Sequence, residues 1–154
     1  MIKELSQYSK EMSAQILEEF PNWREQAGTN EHNGEKYFDL RVVPPSSNIE
    51  SPLRIYTYQD ELTISFDAYH AHFFEFKEND DEIKDDDAFS FIKRIISDSY
   101  AVVSYWRDDQ WCGSTLLPEE EFPINNAEYP YANKIKIRSW SGRLDENIKC
   151  EAKN

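Results

Sequence analysis

Glycine is scarce: the 154 residues contain four. That number is too small, and too scattered, to build a P-loop or a dinucleotide-binding fingerprint, so nothing marks a phosphate site. Cysteine is scarcer still. Cys112 and Cys150 stand far apart and in no CxxC grouping, which removes both a zinc knuckle and a disulfide framework. They read as two unrelated thiols, with a Cys–His nucleophile supported by composition alone. Ser114 follows Gly113 without a GxSxG elbow. No apolar run approaches the roughly 18 residues needed to cross a bilayer, and Met1 opens no basic, apolar leader, so a soluble cytoplasmic protein is expected. Positive charge is the largest deficit: 17 Lys and Arg face 30 Asp and Glu, a formal net charge of −13.

A chain this acidic repels nucleic acid and anionic lipid and attracts basic partners. It is also too aromatic for a disordered acidic tail, with nine Phe, nine Tyr and four Trp in its 39% of hydrophobic residues. Its length fits one domain over residues 1–154.

Leu5, Tyr8, Met12, Ile16 and Phe20 recur at helical spacing, and Pro21 stops that helix. AGTNEHNGE, residues 27–35, has the composition of a loop. Tyr37–Val43 alternates as a strand closed by Pro44 and Pro45. Leu53–Tyr58 and Leu62–Phe76 form a hairpin whose second arm keeps one alternation throughout, placing Leu62, Ile64, Phe66, His70 and His72 on the core face. A second helix over 85–98 buries Ala88, Phe89, Ile92, Ile95 and Ile96, with Asp85, Asp86 and Asp87 where carboxylates accept its free amides. Tyr100–Trp106 and Gln110–Leu117 make another hairpin around Asp108 and Asp109. Lys134–Trp140 is a strand with Ile135 and Ile137 on one side and Lys134, Lys136 and Arg138 on the other, and a short strand falls near Asn147–Cys150. This order predicts an α+β fold with a mostly antiparallel sheet of about five to seven strands.

His70 and His72, two apart on one strand, could both reach a metal. They define an alternative reading as a metal-binding protein or small metal-dependent enzyme. Asp67 points the other way on a regular strand and His32 lies in a distant loop, so no third ligand completes the set. Trp106, Trp111 and Trp140 beside the basic strand could serve as a stacking platform for single-stranded nucleic acid, but the net charge opposes it. A strand face of three basic residues is otherwise a device against sheet-to-sheet association.

Protein binding uses the same residues with less strain. Tyr105, Trp106, Trp111 and Trp140 are candidate anchors. Asp108, Asp109, Glu119, Glu120 and Glu121, with Glu78, Asp80, Asp81 and Glu82 of the run ENDDEIKDDD, are candidate steering charges.

The segments LTISFDAYHAHFFEF and YAVVSYWRDDQWCGS, joined by a helix in a short acidic α+β chain, resemble those of the small immunity proteins encoded beside bacterial polymorphic or contact-dependent growth inhibition toxins. The likeness covers roughly residues 53–117 and carries no diagnostic motif, so no residue role comes with it. It implies a non-enzymatic cytoplasmic inhibitor without cofactor, a monomer or weak dimer, that neutralises a cognate basic, nuclease-like toxin domain.

Overall fold

Ser6 starts the first helix by accepting the Ser9 amide on its side-chain oxygen at 3.1 Å, so one of the free donors of the first turn is satisfied. The computed structural model, which describes residues 4–73 and 87–153, places this helix, α1, over Gln7–Glu19 with Ser9, Met12 and Ile16 buried. Pro21 ends it as expected and opens a short 3-10 segment, Pro21–Gln26. The Ser9 hydroxyl lies 2.6 Å from that of Thr57, and the same Thr57 oxygen accepts the Phe38 amide at 3.1 Å. A buried polar bridge thus fixes the helix to the sheet beneath it, with each group satisfied.

Sorted by contacts, the chain falls into two compact units. The first comprises residues 1–43, 52–65 and 70–92. The second comprises residues 44–51, 66–69 and 93–154. The fold is α+β with antiparallel pairing, as the sequence predicts. The described residues carry nine strands in two sheets, rather than five to seven in one.

The first sheet runs β1 (Ala27–His32), β2 (Glu35–Val42), β3 (Leu53–Tyr56), β4 (Leu62–Phe66) and β5 (Tyr69–Phe73), in that spatial order. AGTNEHNGE is therefore an edge strand and a turn, not a loop. Asn33 and Gly34 both adopt positive φ, at 48° and 78°, which matches the twist a two-residue hairpin needs. No apolar alternation announces β1 because it is exposed from Gly28 onward and stays in place through its ladder to β2.

The expected long arm Leu62–Phe76 is also broken. Asp67 turns the chain at φ 51°, and its carboxylate accepts the Glu50 amide at 2.9 Å. Residues facing each other across a two-residue turn share a side, so the inward parity changes from even in β4 to odd in β5. Leu62, Ile64 and Phe66 are buried, while His70 and His72 are exposed rather than on the core face.

Helix α2 (Ala88–Ile96) buries Ala88, Phe91, Ile92 and Ile95. Asp87 caps it, its carboxylate accepting the Ser90 amide at 2.8 Å. Asp85 and Asp86 lie outside the described residues.

The second sheet has the order β7-β6-β8-β9, with β6 (Tyr100–Arg107), β7 (Gln110–Pro118), β8 (Lys134–Arg138) and β9 (Glu146–Lys149). Ala101, Val103, Tyr105, Ile135 and Ile137 fill one face together with Ala132 and Leu144. The alternation expected of β8 holds, but the strand lies between β6 and β9 and is not an edge. Its basic side is occupied locally: the Lys136 side chain is 21% exposed, 3.3 Å from Glu50, with its ammonium 4.6 Å from the Trp106 ring centre.

Candidate functional site

The β6–β7 hairpin turns at Asp108 and Asp109, with Asp108 at φ 54°. Asn133 holds the turn from the side. Its side-chain oxygen accepts the Asp108 amide and its side-chain nitrogen donates to the Asp108 carboxylate, each at 3.0 Å. Its own amide donates to the Trp106 carbonyl at 2.8 Å. Arg107 lies over the Tyr131 ring at 4.6 Å and donates to the Tyr131 carbonyl at 3.1 Å. One face of Asp108 is thus engaged in holding the turn, while Asp109 is exposed beside it.

The ladder beneath the turn carries a bulge. Trp106 pairs with Trp111, whereas the next pair is Tyr105 with Gly113, which leaves Cys112 as the extra residue. By strict alternation Trp111 would share the inward side of Gly113 and Leu117. The bulge puts it beside Trp106 instead.

The two indoles have different environments. Trp106 is half-buried, donating to Ser104 at 2.8 Å beneath the Lys136 ammonium. Trp111 is 53% exposed, yet its indole N–H donates to Ser114 at 3.1 Å, and the Ser114 hydroxyl donates to the Ala68 carbonyl at 2.6 Å. It is a large apolar surface presented to solvent in a fixed orientation.

Of the other candidate anchors, Tyr105 is a core residue, 3% exposed. Trp140 is partly buried and packs on Phe66 with ring centres 5.8 Å apart.

Glu119, Glu120 and Glu121 form an exposed 3-10 turn directly after β7. They lie at the far end of the strand from Asp108 and Asp109, roughly 20 Å or more away at 3.3 Å per residue. The acids that the sequence groups into one surface therefore form two. Glu78, Asp80, Asp81 and Glu82 lie outside the described residues.

Beside Glu121 the chain folds back through residues 122–131 and encloses a cleft of about 510 Å3. Its lining includes Tyr105, Leu117, Phe122 and Tyr129, with the exposed residues Glu121 and Glu128 at its surface. Among the described residues no Lys, Arg or His lines it. Asn126 fixes the loop by donating to the carbonyls of Pro130, Ala132 and Glu151 at 3.2, 2.7 and 3.1 Å. The Tyr129 ring lies on Gly113, where a Cβ would fall 2.5 Å from Cζ, and 4.6 Å from the Tyr105 ring. Burial pushes the Tyr105 phenol above its usual range, and the negative charge of Glu128 adds to it, followed by Tyr129 and Cys150.

Sequence reasoning passed over Asn126, Glu128 and Tyr129 because INNAEYPYAN has no periodicity. The available signal was a run of Asn and Tyr too polar and aromatic for a simple connector.

His70 and His72 lie 5.1 Å apart, ring to ring. His72 Nδ1 is 2.9 Å from the Thr63 hydroxyl and 2.5 Å from the Glu61 carboxylate, so that nitrogen is engaged locally. Among the described residues no group of three or more His, Cys, Asp or Glu gathers where a metal ion could sit. Cys112 and Cys150 are free and half-buried, and burial raises the Cys150 thiol, the opposite of what activates a nucleophile. Among the described residues no helix is long and apolar enough to cross a membrane.

No family model, curated protein or solved structure matches the chain.

Proposed function

We propose that this protein acts by binding a basic protein, as an immunity-type inhibitor of a nuclease-like toxin domain. The observation that carries the reading is Trp111, half exposed yet held through Ser114 to the Ala68 carbonyl. An exposed indole with its orientation already fixed loses little freedom on docking, and tryptophan is among the residues that dominate binding energy at interfaces.

Asp108 and Asp109 form the turn just before it in the chain, and the net charge of −13 supplies the field. A nuclease presents positive charge to phosphates. An acidic protein can occupy that surface, and opposite charge speeds encounter well above the neutral rate. Glu119, Glu120 and Glu121 form a second acidic point of contact, and Glu78, Asp80, Asp81 and Glu82 add to the long-range attraction.

The test is copurification at low salt from the cells that make the protein, with bound material identified by mass. The expected result is a stoichiometric basic protein, toxic when expressed alone and harmless with this chain, and lost from Trp111→Ala. Recovery of no basic protein, or equal recovery by Trp111→Ala, would overturn the reading.

A further inference from the structure

The cleft between Tyr105 and Glu121 has an occupant written into its chemistry. Its volume of about 510 Å3 lies within the range of small-ligand pockets, roughly 300–1,000 Å3. An anion would meet the negative charge of Glu121 and Glu128, and among the described residues no cation lines the cleft to offset it. Glu121 and Glu128 are exposed, and a neutral apolar group would gain nothing from their charge. A cation satisfies both. The rings of Tyr105, Phe122 and Tyr129 select further, because a planar guanidinium stacks on aromatic faces and meets carboxylates through paired N–H donors, whereas an ammonium offers only a compact point charge.

We infer that this cleft takes an arginine side chain from an exposed segment of the basic partner, a second point of engagement distinct from Trp111. The inference rests on the partner being a protein, as proposed above. It explains an otherwise idle arrangement. Asn126 makes three hydrogen bonds to hold the loop that carries Glu128, and Gly113 leaves the room in which the Tyr129 ring lies. Both devices maintain the shape of the cleft, and neither is needed to present Trp111.

The probe is the dipeptide acetyl-Arg-Arg-amide, titrated into the full chain and followed by amide NMR. Its citrulline counterpart matches it in shape without the charge. The expected result is saturable shifts at Gly113, Ala127, Glu128 and Tyr129 with the arginine peptide and none with citrulline. In Glu121→Gln/Glu128→Gln the dissociation constant should rise about tenfold or more, as two charge-assisted contacts are lost. A charge-matched control outside the cleft lining, Glu18→Gln/Glu25→Gln, should leave it within about twofold, the size expected of screened charges that do not touch the peptide.

Equal binding of the citrulline peptide, shifts centred on Trp111 instead, equal weakening by the control pair, or no shift at millimolar peptide would each overturn the assignment. So would full retention of a captured partner by Glu121→Gln/Glu128→Gln, which would leave the proposed function standing. Failure to capture any basic partner, with arginine still bound in the cleft, would overturn the proposed function and leave the guanidinium site.

Discussion

Two sets of acids, one in each sheet, are used in opposite ways. In the first, Asp39 is a side chain only 7% exposed, held by Arg54 through two hydrogen bonds at 3.0 and 3.2 Å, with Asn30 and Arg41 beside it. Burial pushes its carboxyl upward, but the hydrogen bonds and charge of Arg54, with Asn30 and Arg41, outweigh that, and it titrates below its ordinary value of 3.8. Arg54 in turn stacks on Tyr56 at 4.1 Å. In the second sheet, Asp109, Glu119, Glu120, Glu121 and Glu128 stand at the surface around a turn and a cleft. Asp39 is neutralised where it ties strands together, while these five acids are displayed. Stability and recognition should therefore respond to different substitutions.

The largest effect should come from breaking the internal network. Asp39→Ala leaves Arg54 without its main partner and should cost about 2 kcal/mol in urea unfolding, with partner capture unchanged. The pH dependence has a definite sign. A lowered carboxylate contributes stability above its unfolded pKa of about 3.8 and loses it as pH falls through the lower folded value, so the wild type should lose this part of its stability only in that acid range. Asp39→Asn should flatten the slope there.

Overpacking the second sheet comes next. Gly113→Ala drives a Cβ into the far end of the Tyr129 side chain, which must shift, and should cost about 1 kcal/mol while abolishing arginine shifts in the cleft. Trp111→Ala reverses the pattern: thermal stability should hold within about 0.5 kcal/mol while capture weakens by about 2 kcal/mol, roughly thirtyfold. A loss of stability in Trp111→Ala as large as in Asp39→Ala would erase the contrast between the sheets.

Smaller still, Glu119→Gln/Glu120→Gln should slow association several-fold at low salt and leave dissociation alone, read by stopped flow across ionic strengths. The smallest effect should be Asp67→Asn. Burial raises the Asp67 carboxyl, against hydrogen bonds from the Glu50 and Ala68 amides that lower it, so its charge opposes folding as pH rises from the ordinary value through the folded one. Asparagine keeps an acceptor and tolerates φ 51°, and a gain of about 0.5 kcal/mol at neutral pH is expected.

What the sequence revealed depended on burial. α1, α2 and β8 were legible because one side of each faces a core, and the period of Met12 and Ile16, or of Ile135 and Ile137, records that directly. β1 was illegible because pairing alone holds it, and the hairpin signal lay in Asn33-Gly34 rather than in any hydrophobic pattern. His70 and His72 were misplaced because a turn at Asp67 reversed the parity of β5 relative to β4. At the candidate site the residue types were legible and their distribution was not: Glu119–Glu121 and Asp108–Asp109 are close in sequence yet occupy opposite ends of a strand. The cleft needed Tyr129 to fold back onto Gly113, a meeting of residues that no local spacing records.

The bulge at Cys112 has a consequence for how such a chain can change. It separates the register of the turn from the register of the core, so Trp106, Trp111 and the two aspartates form a head whose pairing is closed before the pairing of Tyr105 with Gly113 begins. Residues in that head can be exchanged without reversing which side chains beneath them point inward. For the inhibitor proposed above, such a joint would let the residues of the head vary while the paired core beneath them is kept.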